Sequence, residues 1–83
     1  MQIVNKKGLH ARAAAKFAKT AAGFDAEIRV RNGATMVSGL SIMGLMMLAA
    51  GPGTEIEITA AGPAGEAAVA ALAALVAARF GED

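Results

Sequence analysis

Ala26-Glu27-Ile28-Arg29-Val30-Arg31-Asn32-Gly33 decides the fold of this chain. Charged and apolar residues alternate, so Ile28 and Val30 point to one side of an extended segment and the charges to the other. Asn32-Gly33 is a type I′ hairpin signal, because that turn needs two residues tolerant of positive φ. Ala34 to Val37 is then the returning strand. Glu55-Ile56-Glu57-Ile58-Thr59 alternates in the same way, with Ile56 and Ile58 inward. One-sided alternation belongs to an antiparallel sheet with one wet face. If these strands are neighbours, Glu55 and Glu57 oppose Arg29 and Arg31 in sign, and each cross-strand pair adds a few tenths of a kcal/mol.

Outward from this hairpin, Gln2-Ile3-Val4-Asn5 reads as a short first strand, broken by Gly8. Ala11 to Ala22 is built of strong helix formers and stops at Gly23, with Ala14, Phe17, Ala18 and Ala21 spaced as a buried stripe. Lys16 and Lys19 fall mostly on the other side. Gly62-Pro63 opens a last helix, with Val69, Leu72, Val76 and Phe80 on one face and Gly81 as its end. The predicted order is strand, helix, strand, strand, helix, strand, helix. That is an α+β domain with its helices on one side of the sheet.

A chain of 83 residues makes one domain, spanning 1–83. A net charge of +1, with no basic cluster denser than Lys6-Lys7, leaves no footprint for nucleic acid. No cysteine and a single histidine argue against a disulfide framework, a metal site or a bound cofactor. Met1 to Lys6 is too short and polar for a signal peptide, and Ile42 to Ala50 is about half a bilayer span. A soluble cytoplasmic protein without membrane insertion is expected.

Ser41-Ile42-Met43-Gly44-Leu45-Met46-Met47-Leu48-Ala49-Ala50-Gly51-Pro52-Gly53 is a helix with a serine cap and an emphatic stop. It is apolar around its whole circumference, and a domain this small cannot enclose it. Leu45 and Leu48 can face the sheet, which leaves Ile42, Met43, Met46 and part of Met47 toward water. Exposed apolar surface of this kind points to a protein partner, and methionine adapts well to one.

Gly8-Leu9-His10-Ala11-Arg12 holds the one histidine, at the start of the first helix. Unpaired amides and the helix dipole favour an anion there, and a guanidinium two residues on can bond phosphate oxygens. The bland alternative is a surface or capping histidine.

Asn5-Lys6-Lys7-Gly8-Leu9-His10-Ala11-Arg12 followed by Ser41-Ile42-Met43-Gly44-Leu45-Met46 resembles the histidine-containing phosphocarrier (HPr) family of the bacterial phosphotransferase system. Phe24-Asp25-Ala26-Glu27 and the ending Phe80-Gly81-Glu82-Asp83 look more like its nitrogen-related branch than its sugar-transport branch. The resemblance implies an open-faced sandwich, a four-stranded antiparallel sheet covered on one face by three helices. It implies a monomeric carrier rather than an enzyme, phosphorylated on His10 by enzyme I at the expense of phosphoenolpyruvate and discharged to an EIIA-type protein. Arg12, with the amides of Arg12 and Ala13, would hold the phosphoryl group. Ile42, Met43, Met46 and Met47 would dock partners. Ser41 matches the serine phosphorylated by HPr kinase/phosphorylase. The family usually has proline where this chain has Ala13. A non-catalytic adaptor that binds partners through the methionine-rich helix is the competing reading.

Overall fold

The opening stretch forms β1 (Glu27–Asn32), which turns through Gly33 into β2 (Thr35–Ser38). The loop is Gly33-Ala34, one residue later than expected: Gly33 has a φ of 62°, but Asn32 stays extended in β1 opposite Thr35, so a single left-handed residue makes the turn and the type I′ geometry expected at Asn32-Gly33 is not formed. β1 and β2 pair antiparallel with Asn32 opposite Thr35, and β3 (Glu57–Ala61) pairs antiparallel with the other edge of β1. The order across the sheet is β2-β1-β3. Ile28 and Val30 are buried while Glu27, Arg29 and Arg31 are exposed, as the alternation requires. Arg31 stands opposite Glu57 and its Nη2 donates to Glu57 Oε1 at 2.8 Å. Arg29 instead stands opposite Thr59 and pairs with Glu27 on its own strand. The computed structural model describes residues 1–82; Asp83, part of the ending compared above, lies outside them.

The sheet has three strands rather than the expected four. The segment before Asn5 does run antiparallel to residues 53–56. The Ile3 amide donates to the Thr54 carbonyl at 2.9 Å, and the amides of Gly53 and Ile56 donate to Ile3 and Met1, both at 2.8 Å. Pairing stops at a single bridge, Gln2 opposite Glu55. The Gly51-Pro52-Gly53 turn cuts the partner short on one side. On the other, the chain turns away at Asn5, whose carbonyl accepts from the Gly8 amide at 3.3 Å. A ladder needs several consecutive partners, and here neither strand has them. β3 accordingly starts at Glu57 instead of Glu55.

Three helices complete the fold. α1 (Ala11–Ala22) buries Ala13, Ala14, Phe17, Ala18 and Ala21. α2 (Ile42–Met47) is capped by Ser41, whose Oγ accepts from the Gly44 amide at 2.9 Å. Such a cap is worth about 1 kcal/mol. α2 ends well before the Gly-Pro-Gly stop, because Ala49 turns to a φ of 53° and the Ala50 carbonyl is taken by the Leu9 amide at 2.9 Å. α3 (Gly65–Ala77) is preceded by Ala64 as its cap residue, so Pro63 lies outside the first turn. Its buried face is Gly65, Ala68, Leu72 and Val76, with Val69 only half-buried.

α3 also stops short of the expected Gly81. Arg79 and Phe80 take left-handed φ values of 59° and 56° in a tight turn, Arg79–Gly81. Each such residue costs roughly 1–2 kcal/mol. Sinking the Phe80 ring completely into the core offsets about 1.5–3 kcal/mol of that. With Phe17, Ile3, Leu45, Leu72, Val30 and Val76, Phe80 forms the fully buried centre between sheet and helices.

Candidate functional site

His10 occupies the N-cap of α1 with extended backbone, φ −76° and ψ 179°. The first helical bond runs from the Ala14 amide to the His10 carbonyl at 2.8 Å, which leaves the amides of Ala11, Arg12 and Ala13 without helical partners. His10 reaches this place because two backbones touch just before it. Gly8 has a φ of 63°, and a Cβ there would run into the Ala50 carbonyl and lie 2.8 Å from Gly51 Cα. Only glycine allows that approach. It aligns the Leu9 amide with Ala50 and points the next residue, His10, out of the core.

The His10 side chain is about one quarter exposed and meets a residue from the far end of the chain. Its Nε2 lies 2.8 Å from Oε2 and 3.0 Å from Oε1 of Glu82. Asn5, fully buried, donates from Nδ2 to Glu82 Oε1 at 2.8 Å and to the Gly8 carbonyl at 2.9 Å. Sequence reasoning missed both residues. Glu82 is 72 positions from His10 and carries no local motif, and Asn5 gains its role only when the fold buries it against Glu82. Arg12 is exposed, and with Lys6, Lys7 and Glu82 it lines an open hollow of about 240 Å³. Ala13 is fully buried, its methyl in the core.

The hydrogen bond to His10 holds the Glu82 carboxyl below the usual carboxylate range, against the opposing effect of burial. The Asn5 donor and the charges of His10 and Arg12 act in the same direction as that bond. A folded-state value below the unfolded one means that the contact stabilises at higher pH and is lost as pH falls through the lowered value. The Glu82–His10 contact should therefore persist at neutral pH and fail only in acid, below the range where an ordinary glutamate titrates. Backbone amide shifts of Gly81 and Glu82 followed against pH will check this, since a tail that releases above that range would contradict it.

The second region lies on a helix packed directly against α1. Leu45 and Leu48 are buried, and Ile42, Met43, Met46 and Met47 are exposed by 44%, 71%, 44% and 74%. Met36 in β2 and Leu40 before α2 are also exposed, and the sequence reading had not included them. Ser41 is half-buried at the start of α2. Among the described residues no group of three acidic, histidine or cysteine side chains could hold a metal ion, and no helix is long and apolar enough to cross a membrane.

A solvent-reachable imidazole at a helix start, with Lys6, Lys7 and Arg12 lining a hollow beside Glu82 and an exposed apolar helix packed on α1, is an arrangement suited to holding an anion within reach of another protein. Comparison with known proteins agrees. The family model described as the PTS HPr component phosphorylation site matches residues 1–78. The phosphocarrier protein HPr of Neisseria meningitidis is 49% identical over 82 residues, covering 99% of this chain and 92% of that protein. The phosphocarrier protein NPr of Escherichia coli is 43% identical over 84 residues, covering 100% and 93%. A crystal structure of HPr from Thermoanaerobacter tengcongensis superposes with a TM-score of 0.95 at 41% identity, covering 100% of this chain and 93% of that one. The chain belongs to the HPr family. It is a phosphocarrier of the phosphotransferase system, a carrier rather than a catalyst.

Proposed function

We propose that His10 is the residue that carries the phosphoryl group, taking it from enzyme I and giving it to an EIIA-type acceptor in the cytoplasm. The observation that carries this reading is the placement of His10 at the α1 N-cap, with one ring nitrogen engaged by Glu82 and the other, Nδ1, left to react. The Nδ1 lone pair forms the new bond to phosphorus, and the bond from phosphorus to the donor breaks with its electron pair leaving on the donor. Discharge is the same step reversed onto the acceptor. The free amides of Arg12 and Ala13 and the Arg12 guanidinium offset the added charge, together by about 1–3 kcal/mol. A tighter grip would harm a carrier, since each ~1.4 kcal/mol shifts onward transfer tenfold. Alanine at position 13 keeps an amide that proline would lack and so adds a donor to this site.

Incubation with labelled phosphoenolpyruvate and enzyme I tests this reading. Wild type should take up acid-labile, base-stable label, and His10→Ala none. Equal labelling of the variant would overturn it.

Ser41 is proposed as a second, regulatory phosphorylation site. A phosphate there is tolerated at a helix start but sets about −2 charge beside Ile42 and Met43, which would weaken enzyme I docking. ATP with an HPr kinase/phosphorylase should label Ser41 and slow subsequent labelling of His10. No label on Ser41 ends the idea. Relatives named HPr and NPr match at 43–49% identity, so the relay chemistry common to both is what they support.

A further inference from the structure

Asn5 and Glu82 stand outside everything assigned so far. They come from opposite ends of the chain, and the structure goes to some expense to bring them together. Phe80 is fully buried through two left-handed residues, and Lys16 Nζ donates to the Phe80 carbonyl at 2.6 Å. The tail is thereby pinned on α1 immediately before Glu82. Asn5 is the one fully buried polar residue among those described, and its Oδ1 has no hydrogen-bond partner there. Its orientation is nonetheless fixed. The two groups that its amide end meets, the Gly8 carbonyl and Glu82 Oε1, are both acceptors, so nitrogen and not oxygen must face them. An unsatisfied oxygen in the core is a cost that packing alone would not select. It is accepted here in exchange for a fixed carboxylate.

That carboxylate decides the state of the histidine. Two Glu82 oxygens lie within 3.0 Å of Nε2. A lone pair on Nε2 would face two negative oxygens, whereas an N–H there makes a charge-assisted bond. The proton therefore sits on Nε2 and the lone pair on Nδ1.

We propose that Asn5 and Glu82 form a positioning relay, Asn5 orienting the Glu82 carboxylate and Glu82 fixing the tautomer and ring plane of His10, so that Nδ1 always presents its lone pair for phosphoryl transfer. The relay touches no substrate and acts only through His10, and it rests on the reading of His10 as the carrier. When Nδ1 bonds to phosphorus the ring becomes a cation with its Nε2 proton still in place, and Glu82 is the counter-charge already beside it. No proton has to move in either direction of the transfer. The group leaves as it arrived, from a ring whose charge is balanced from behind.

Nitrogen-15 NMR of the imidazole in alkaline buffer tests the relay. In wild type Nε2 should be the protonated nitrogen and Nδ1 the bare one, in a single tautomer. Glu82→Ala should give a mixed pair, and Glu82→Gln, whose side-chain oxygen can still accept from Nε2, should restore most of the wild-type pattern. In Glu82→Ala one Asn5 side-chain amide proton should lose its protection from solvent exchange, a readout that needs no change in the buried core. Phosphoryl uptake by Glu82→Ala should fall roughly fivefold as the competent fraction and ring orientation are lost. A single unchanged tautomer in Glu82→Ala, or an unchanged Asn5 amide, overturns the relay. The carrier reading fails separately, by absence of label on His10 in wild type.

Discussion

Met43→Glu together with Met46→Glu should slow phosphoryl transfer from enzyme I by about tenfold or more while leaving the fold intact. The two side chains are 71% and 44% exposed on α2, so their replacement removes no core contact and should change stability by less than about 0.5 kcal/mol. Each brings a charge onto a helix whose other large exposed side chains, Ile42 and Met47, are apolar. A docking face of this kind works by desolvation, and a carboxylate that must be dehydrated against a partner opposes it. His10 itself is untouched, so the loss should appear as weaker association rather than as an altered phosphohistidine. Single-turnover labelling at several enzyme I concentrations, alongside urea denaturation, separates the two effects. Unchanged transfer by a folded variant would remove this face from the docking surface.

Gly8→Ala should cost about 2–4 kcal/mol of stability, a large part of the 5–15 kcal/mol available to a domain. The residue sits at φ 63°, and its new methyl would meet the backbone of Ala50 and Gly51, which has no rotamer with which to retreat. Relief requires separating two segments, which breaks the 2.9 Å bond from the Leu9 amide to Ala50. His10 follows directly, so surviving folded molecules should also transfer more slowly. Urea denaturation gives the stability. A loss below about 0.5 kcal/mol would mean that the close approach is not maintained in solution.

The parts of this fold written in short-range pattern were legible from the sequence. The β1–β2 hairpin follows from Ile28, Val30 and Gly33, though its loop falls one residue later than Asn32-Gly33, and the inward Leu45 and Leu48 with outward methionines follow from helical spacing. The features that sequence reading missed are set by contacts between distant segments. Whether Gln2 to Asn5 forms a strand depends on how many partners residues 53–56 can offer, and the Gly-Pro-Gly turn leaves too few. Helical spacing put Phe80 on the face of Val76, yet the tail leaves the helix at Ala78 because Lys16 and the core hold it elsewhere. At the candidate site His10, Arg12 and Ser41 could be picked out from local sequence and helix-cap chemistry. Asn5 and Glu82 could not, because their chemistry exists only once the two ends of the chain meet at His10.

The proposed transfer turns on one atom, Nδ1 of His10. Phosphorus-31 NMR of the protein charged by enzyme I and phosphoenolpyruvate, with couplings traced to the imidazole, tests it most directly. The prediction is a single phosphohistidine resonance coupled to the His10 ring through Nδ1, which disappears on addition of an EIIA-type acceptor. A resonance on Nε2, on a serine, or on no residue of this chain would contradict it.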